Sequence, residues 1–208
     1  NNCNLRCIMC QAYNYLPKSA TNFIDFDRFV AHTKGQLTDW SHIQLGNQAE
    51  PLIHPHFEKF LKFIRAESPA LIHIVTNGKL LDRHAEAINE AGNCLVQISL
   101  DSISKKTHEY IRAGSQFERA ISNIAKLDTA RSQVLLSFTL MRANIDEYGE
   151  MVRFCQERGY RIAAFPMFVR EEQNVVPLSL LKESLWFDLS KLKVWLREFY
   201  GKDYDNMV

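Results

Sequence analysis

The stretch FEKFLKFIRAESPALIHIVTNGKLLDRHAEAINEAGNCLVQISL, residues 57–100, decides the fold class. Phe57, Phe60, Leu61 and Ile64 stand at i, i+3, i+4 and i+7, which places them on one face of a helix. Leu71 to Val75 is a short apolar run rich in β-branched residues, and Thr76-Asn77-Gly78 closes it with a strong turn signal. An amphipathic stretch follows, then a second apolar run from Leu95 to Leu100. Working outward, Ile43 to Leu45, Val134 to Leu140 and Ile162 to Phe165 read as further strands. Helical spacing recurs in Tyr148, Met151, Val152 and Cys155, in Phe26, Phe29, Val30 and Leu37 near the start, and in Leu189, Leu192, Leu196 and Phe199 at the end. This alternation predicts an α/β fold, a parallel sheet with right-handed crossovers. The near-continuous apolar strands predict a sheet covered by helices. One more strand ahead of Asn1 would give a partial (βα)6 TIM-like barrel, short of the eight units of a closed one. In such folds ligands gather at the C-terminal ends of the strands.

Composition narrows the function classes. The 208 residues suit one domain or a partial barrel, and 46% hydrophobic with 24% charged residues excludes disordered and collagen-like chains. Twenty-five Lys and Arg against 24 Asp and Glu leave a net charge of +1, so no basic excess marks a nucleic-acid or anionic-membrane partner. No uninterrupted apolar stretch is long enough to span a membrane. The chain opens at Asn1 without a Met or a signal peptide, which is expected of the trimmed middle of a longer protein. Residues 1–169 read as the core. Residues 170–208 read as a connection, Arg170 to Leu180, and a C-terminal helix completing or flanking that core.

Five cysteines form an odd set, with three inside eight residues: Asn2-Cys3-Asn4-Leu5-Arg6-Cys7-Ile8-Met9-Cys10. This is poor material for a disulfide framework and suggests a reducing compartment, the cytoplasm, and a metal. Three thiolates on a tight loop can each hold one iron of a cubane. A 4Fe–4S cluster normally takes four cysteines, so three leave one iron open to an outside ligand. A zinc site would want a fourth Cys or His, and the next histidine is His32. Zinc and a chance grouping of structural thiols stay as alternatives from the spacing alone.

Cys3 to Cys10, CNLRCIMC, resembles the CxxxCxxC signature of radical S-adenosylmethionine (radical SAM) enzymes. Met9 stands where that family often has an aromatic, a variant that looks like the peptide-modifying (SPASM-like) branch. Gly46-Asn47-Gln48-Ala49-Glu50-Pro51 is similar to the family's GGEP segment, with Ala49 in place of the glycine before the Glu. The resemblance implies that Gln48, Ala49 and Glu50 hold the methionine amino group. Thr76-Asn77-Gly78 is similar to the TNG step, and Ser99-Leu100-Asp101-Ser102 to the S-x-D step, which implies that Ser99 meets the cosubstrate carboxylate or ribose. Arg112 matches an arginine that reaches the methionine carboxylate, a role suited to a fixed fork of donors. Thr139 to Asn144, TLMRAN, looks like the peptide-modifying branch. The likeness runs from Cys3 to about Phe165.

What it implies is concrete. Cys3, Cys7 and Cys10 would ligate a 4Fe–4S cluster whose open iron chelates S-adenosylmethionine. One electron, from a donor such as a flavodoxin or ferredoxin, would cleave the sulfonium to methionine and a 5′-deoxyadenosyl radical. The radical would abstract hydrogen from a substrate, in peptide or protein modification. The alternatives are a small-molecule substrate (nucleotide, sugar or cofactor precursor) or a non-catalytic zinc module.

Other residues read as architecture. His54 and His56, flanking Pro55, suit a helix N-terminal turn, and His73 a satisfied core histidine. Trp40, Trp186 and Trp195 read as packing, Tyr13 and Tyr15 as loop covers, and Cys94 and Cys155 as small buried hydrophobes. No Ser-His-Asp arrangement or phosphate-binding glycine loop is present, and eight glycines are few for one.

Overall fold

The computed structural model describes residues 3–10 and 23–167. The expected C-terminal helix and connection, with Tyr13, Tyr15, Trp186 and Trp195, lie outside the described residues. Five parallel strands pair in chain order: β1 (His42–Leu45), β2 (Leu71–Thr76), β3 (Cys94–Ser99), β4 (Ser132–Leu140) and β5 (Arg161–Pro166). The sheet is open, with β1 and β5 at its edges among the described residues. Helix α1 (Phe26–Thr33) precedes β1, and each parallel step is bridged by helix: α2 (Phe57–Glu67), α3 (Leu81–Ala91), the pair α4 (Lys105–Ile111) and α5 (Phe117–Ile124), and α6 (Tyr148–Glu157). A bridging element is needed because a strand that ends at one edge of a parallel sheet must return to the other.

The core lies between sheet and helices. Ile72 and Ile74 of β2, Val96 and Ile98 of β3, and Leu136 and Phe138 of β4 are fully buried against Leu61 and Ile64 of α2, Leu81 and Ile88 of α3 and Met151 of α6. Burial of each such side chain stabilises the fold by roughly 1.5–3 kcal/mol. The stripes read in residues 57–64 and 148–155 are the buried faces of α2 and α6.

Two expectations are corrected. Leu37 does not continue α1; the chain turns at Gly35 (φ +76°), and Leu37 is buried in a separate 3-10 turn, Leu37–Asp39. Among the described residues, the helices also cover only one face of the strands. β2 and β3 alternate strictly, and their face turned away from the helices carries His73 and Gln97, half-exposed and joined Nε2 to Oε1 at 2.9 Å. His73 is satisfied, as expected, but by a neighbour on a polar face that also holds His42, stacked 5.4 Å away.

At the N-terminal ends of the strands, Arg65 of α2 staples the layers. Its two terminal nitrogens donate to the carbonyls of Ser68, Ala70, Gly92 and Asn93 at 2.9–3.2 Å. Cys94 starts β3 beneath the Ala91–Asn93 turn, with its thiol 3.3 Å from the Gly92 carbonyl. His54 and His56 form the turn that leads into α2, where the His56 amide donates to His54 Nδ1 at 3.0 Å.

Candidate active site

The C-terminal ends of the strands hold the chemistry. The cysteine loop lies across them as a short extended segment clasped by main-chain bonds. The Arg6 amide donates to Ala113 O at 2.9 Å and the Ile8 amide to Ile111 O at 3.0 Å, an antiparallel step onto the chain leaving α4. The Cys10 amide closes the loop on Cys7 O at 3.1 Å. Leu5 is buried, and Ile8 and Met9 pack on Ile111, Met141 and Met167.

Asn77 ties this loop to β2. Its Nδ2 donates to Asn4 Oδ1 at 2.8 Å and stands 3.9 Å from Cys3 Sγ, while its Oδ1 accepts from the Lys79 amide at 3.0 Å. Thr76-Asn77-Gly78 is therefore both the tight turn that Asn-Gly announces and the dock for the loop. The three thiols, Cys3, Cys7 and Cys10, share the walls of one cavity of about 200 Å³. Gln48, Ala49 and Glu50 line a second side, and Thr76, Asn77, Ser99 and Arg112 close the rest. A larger cleft of about 510 Å³ along α1, between Phe23 and His32, contains no thiol and no buried carboxylate.

Glu50 is buried beneath this cavity and its carboxylate is nearly saturated. Oε1 accepts from the Thr76 hydroxyl at 2.7 Å and the Leu52 amide at 3.1 Å, and Oε2 accepts from the Asn77 amide at 2.7 Å. Two carboxylate oxygens offer about four lone-pair positions, so roughly one is left for a ligand. Burial, the largest cause, pushes its pKa above the usual carboxylate range, against the pull of Thr76, Asn77 and Leu52. Ala49 needs no left-handed backbone; that demand falls on Gly46 (φ +84°). A Cβ at Gly46 would lie 2.7 Å from Val75 O, so the close approach that carries the segment belongs to residue 46.

Arg112 is 8% exposed, which excludes a solvated helix-end cation. Its Nε stands 2.6 Å from Asp101 Oδ2, and Nη1 lies 3.8 Å from Cys7 Sγ. Asp101 is fully buried behind the arginine and does not line the cavity, so the structure separates it from Ser99, which does. Burial works against the Arg112 charge, but Asp101 and then Cys7 outweigh it and its pKa rises. Burial likewise pushes the Cys7 thiol up to about 11 while Arg112 pulls it down, and raises Cys3.

Sequence reasoning missed three participants. Asn4 anchors the loop to Asn77. Asn144 knots the end of β4: Nδ2 donates to Asp101 O at 2.8 Å and Thr139 O at 2.9 Å, and Oδ1 accepts from the Met141 amide at 2.8 Å. His108, one turn before Arg112, is fully buried, and neither ring nitrogen meets a hydrogen-bond partner. Burial first, and Arg112 second, hold it neutral with a pKa lowered to about 3. Its signal was its i−4 spacing from Arg112, which places both on one helix face.

The donor set discriminates between metals. Among the described residues, no three His, Cys, Asp or Glu side chains converge as ligands of a single ion. Zinc draws its thiolates to about 2.3 Å from one centre. A cubane takes each thiolate on a different iron, so three thiols facing one cavity suit the cluster.

A family model described as the radical SAM superfamily matches residues 1–155. A protein named Probable GTP 3',8-cyclase from Methanocaldococcus jannaschii is 26% identical over 166 residues, 76% of this chain and 53% of its own length. The chain thus spans about half the length of the curated relatives it matches. Among solved structures, native anSMEcpe with bound AdoMet and a peptide superposes at a TM-score of 0.74 and 18% identity, covering 99% of this chain and 59% of that one. Streptococcus suis SuiB bound to the precursor peptide SuiA gives 0.66 and 16% identity, covering 98% and 45%. These likenesses establish a shared fold. No helix among the described residues is long and apolar enough to cross a membrane.

Proposed function

The chain belongs to the radical SAM superfamily, and we propose that its cavity binds S-adenosylmethionine beside a 4Fe–4S cluster to take a hydrogen atom from a substrate carbon. The two cofactors are those the family uses, and when bound they supply the electron and the 5′-deoxyadenosyl radical. Everything else is the work of this chain's side chains. Cys3, Cys7 and Cys10 each hold one iron. The remaining acceptor position of Glu50 takes the methionine ammonium, with Gln48 and Ala49 alongside. The donors of Arg112 not turned to Asp101 take the carboxylate, and Ser99 the ribose or carboxylate. Thr76 and Asn77 hold Glu50 and the loop in place, and Asp101 holds Arg112.

One observation carries this reading. Three thiols, a buried carboxylate and a buried guanidinium, supplied by three separate segments, line a single cavity at the C-terminal ends of parallel strands. Anaerobic reconstitution should yield iron with acid-labile sulfide, and dithionite with S-adenosylmethionine should yield 5′-deoxyadenosine. Zinc without sulfide would sink the proposal.

Two substrate classes have support. A peptide is supported by the likeness to anSMEcpe and SuiB. The TLMRAN segment adds less to it, because the Asn144 side chain has a structural duty of its own, holding the carbonyls of Asp101 and Thr139. A small nucleotide is supported by the cyclase relative. Deuterium transfer from labelled GTP or labelled peptide into 5′-deoxyadenosine separates the two.

A further inference from the structure

We propose that the Asp101–Arg112 ion pair sets the reduction potential of the cluster through the contact of the guanidinium with Cys7. The inference rests on the reading that Cys3, Cys7 and Cys10 hold iron, and it concerns the protein side of that site. Arg112 Nη1 lies 3.8 Å from Cys7 Sγ in a place where the arginine is 8% exposed. A guanidinium stays charged whatever its surroundings. A cation donating N–H toward a ligand sulfur stabilises the more negative, reduced state of a cluster, because net charge and hydrogen bonds to sulfur both set its potential.

Asp101 supplies the opposing charge and restrains the arginine. Its Oδ2 is 2.6 Å from Arg112 Nε, and its Oδ1 accepts the Thr139 amide at 2.6 Å. Asn144 grips the Asp101 main-chain carbonyl at 2.8 Å. The carboxylate is thus anchored to the end of β4, and the guanidinium cannot swing from Cys7 without leaving a buried anion. Asp101 is a positioning residue that also screens the charge it positions. Cys3 faces neutral donors, the Asn77 amide at 3.9 Å and the Leu5 main chain, whereas Cys7 faces the charged Arg112.

A balanced pair has a signature that scaffolding lacks: its halves act with opposite sign. The couple is a one-electron reduction, with dithionite as the electron source in the test. Asp101→Asn, Arg112→Gln, the double variant and Arg112→Lys are reconstituted in the full chain without S-adenosylmethionine and titrated potentiometrically by electron paramagnetic resonance. Asp101→Asn should shift the potential to more positive values and Arg112→Gln to more negative ones. The double variant, again neutral, should return close to the wild type, and Arg112→Lys should fall between wild type and Arg112→Gln. Single shifts of the same sign, or unchanged potentials with the cluster in place, overturn the inference. If Arg112→Gln takes up no cluster, Arg112→Lys takes its place: a shift opposite in sign to that of Asp101→Asn supports the inference, and a shift of the same sign overturns it. Absence of iron and sulfide from the wild-type chain would instead overturn the cluster reading.

Discussion

Two arginines mark the two ends of the sheet, and their surroundings differ in kind. Arg65 spreads its fork over four main-chain carbonyls at the N-terminal ends of the strands. Arg112, at the other end, meets a carboxylate and a thiol. Neutral acceptors satisfy a guanidinium without reacting to anything that happens nearby. Charged and metal-binding partners couple it to whatever fills the cavity. One end of a parallel α/β sheet is thus reserved for holding together and the other for chemistry.

Five experiments test that division, beginning with the largest effect. Cys3→Ala, Cys7→Ala and Cys10→Ala should each abolish 5′-deoxyadenosine formation, since each thiolate serves a different iron. Thermal unfolding of the metal-free protein should move little. A large loss of stability from any of them would mean that the chemical end is also structural.

Second in size is stability against pH, which probes the buried face shared by His108 and Arg112. His108 has an ordinary pKa of 6.5 and is lowered to about 3 in the fold. Between those values the unfolded chain binds a proton that the native chain does not, so stability falls as pH drops through that window. The slope is about 1.4 kcal/mol per pH unit for one such group. Above the ordinary value His108 contributes no pH dependence. His108→Phe should flatten this limb in urea melts at pH 4–7, and an unchanged limb would remove His108 from the account.

Third, Arg65→Met should cost about 2–3 kcal/mol of stability through lost carbonyl partners. Its 5′-deoxyadenosine rate per cluster should match the wild type; a drop would erase the contrast between the ends. Glu50→Gln sharpens the other side: cosubstrate binding measured by calorimetry should weaken roughly 10-fold or more. Smallest of all, Cys94→Ala with Cys155→Ala should leave iron content at about four per chain, the complement of one cubane. Both thiols are buried in the core, and a halving of iron in this double variant would expose an auxiliary site.

The sequence carried the fold well because its signals were local and periodic. The five strand readings fall within two residues of β1 to β5, and the stripes of α2 and α6 were visible at helical spacing. The cysteines were legible for the same reason, lying within eight residues. Long-range partners were not. Nothing in SLDS reveals that Asp101 turns behind Arg112 while Ser99 faces the cavity, because a strand sends residues 99 and 101 to the same face only as long as it remains a strand, and β3 ends at Ser99. Ala49 looked like a weakened glycine, yet the strained position was three residues earlier. His73 sat in an apolar run, and only its cross-strand neighbour Gln97 explains it.

The main-chain clasp on the cysteine loop has a thermodynamic consequence for cofactor loading. Arg6 and Ile8 are held by their amides, so the order of the loop depends little on the side chains between the thiols. Fixing one residue's backbone costs roughly 1–2 kcal/mol of conformational entropy. A loop already laid against Ile111 and Ala113 meets that cost during folding, and the incoming cluster is spared it. Protection of the Arg6 and Ile8 amides from hydrogen exchange would then be as strong before iron arrives as after.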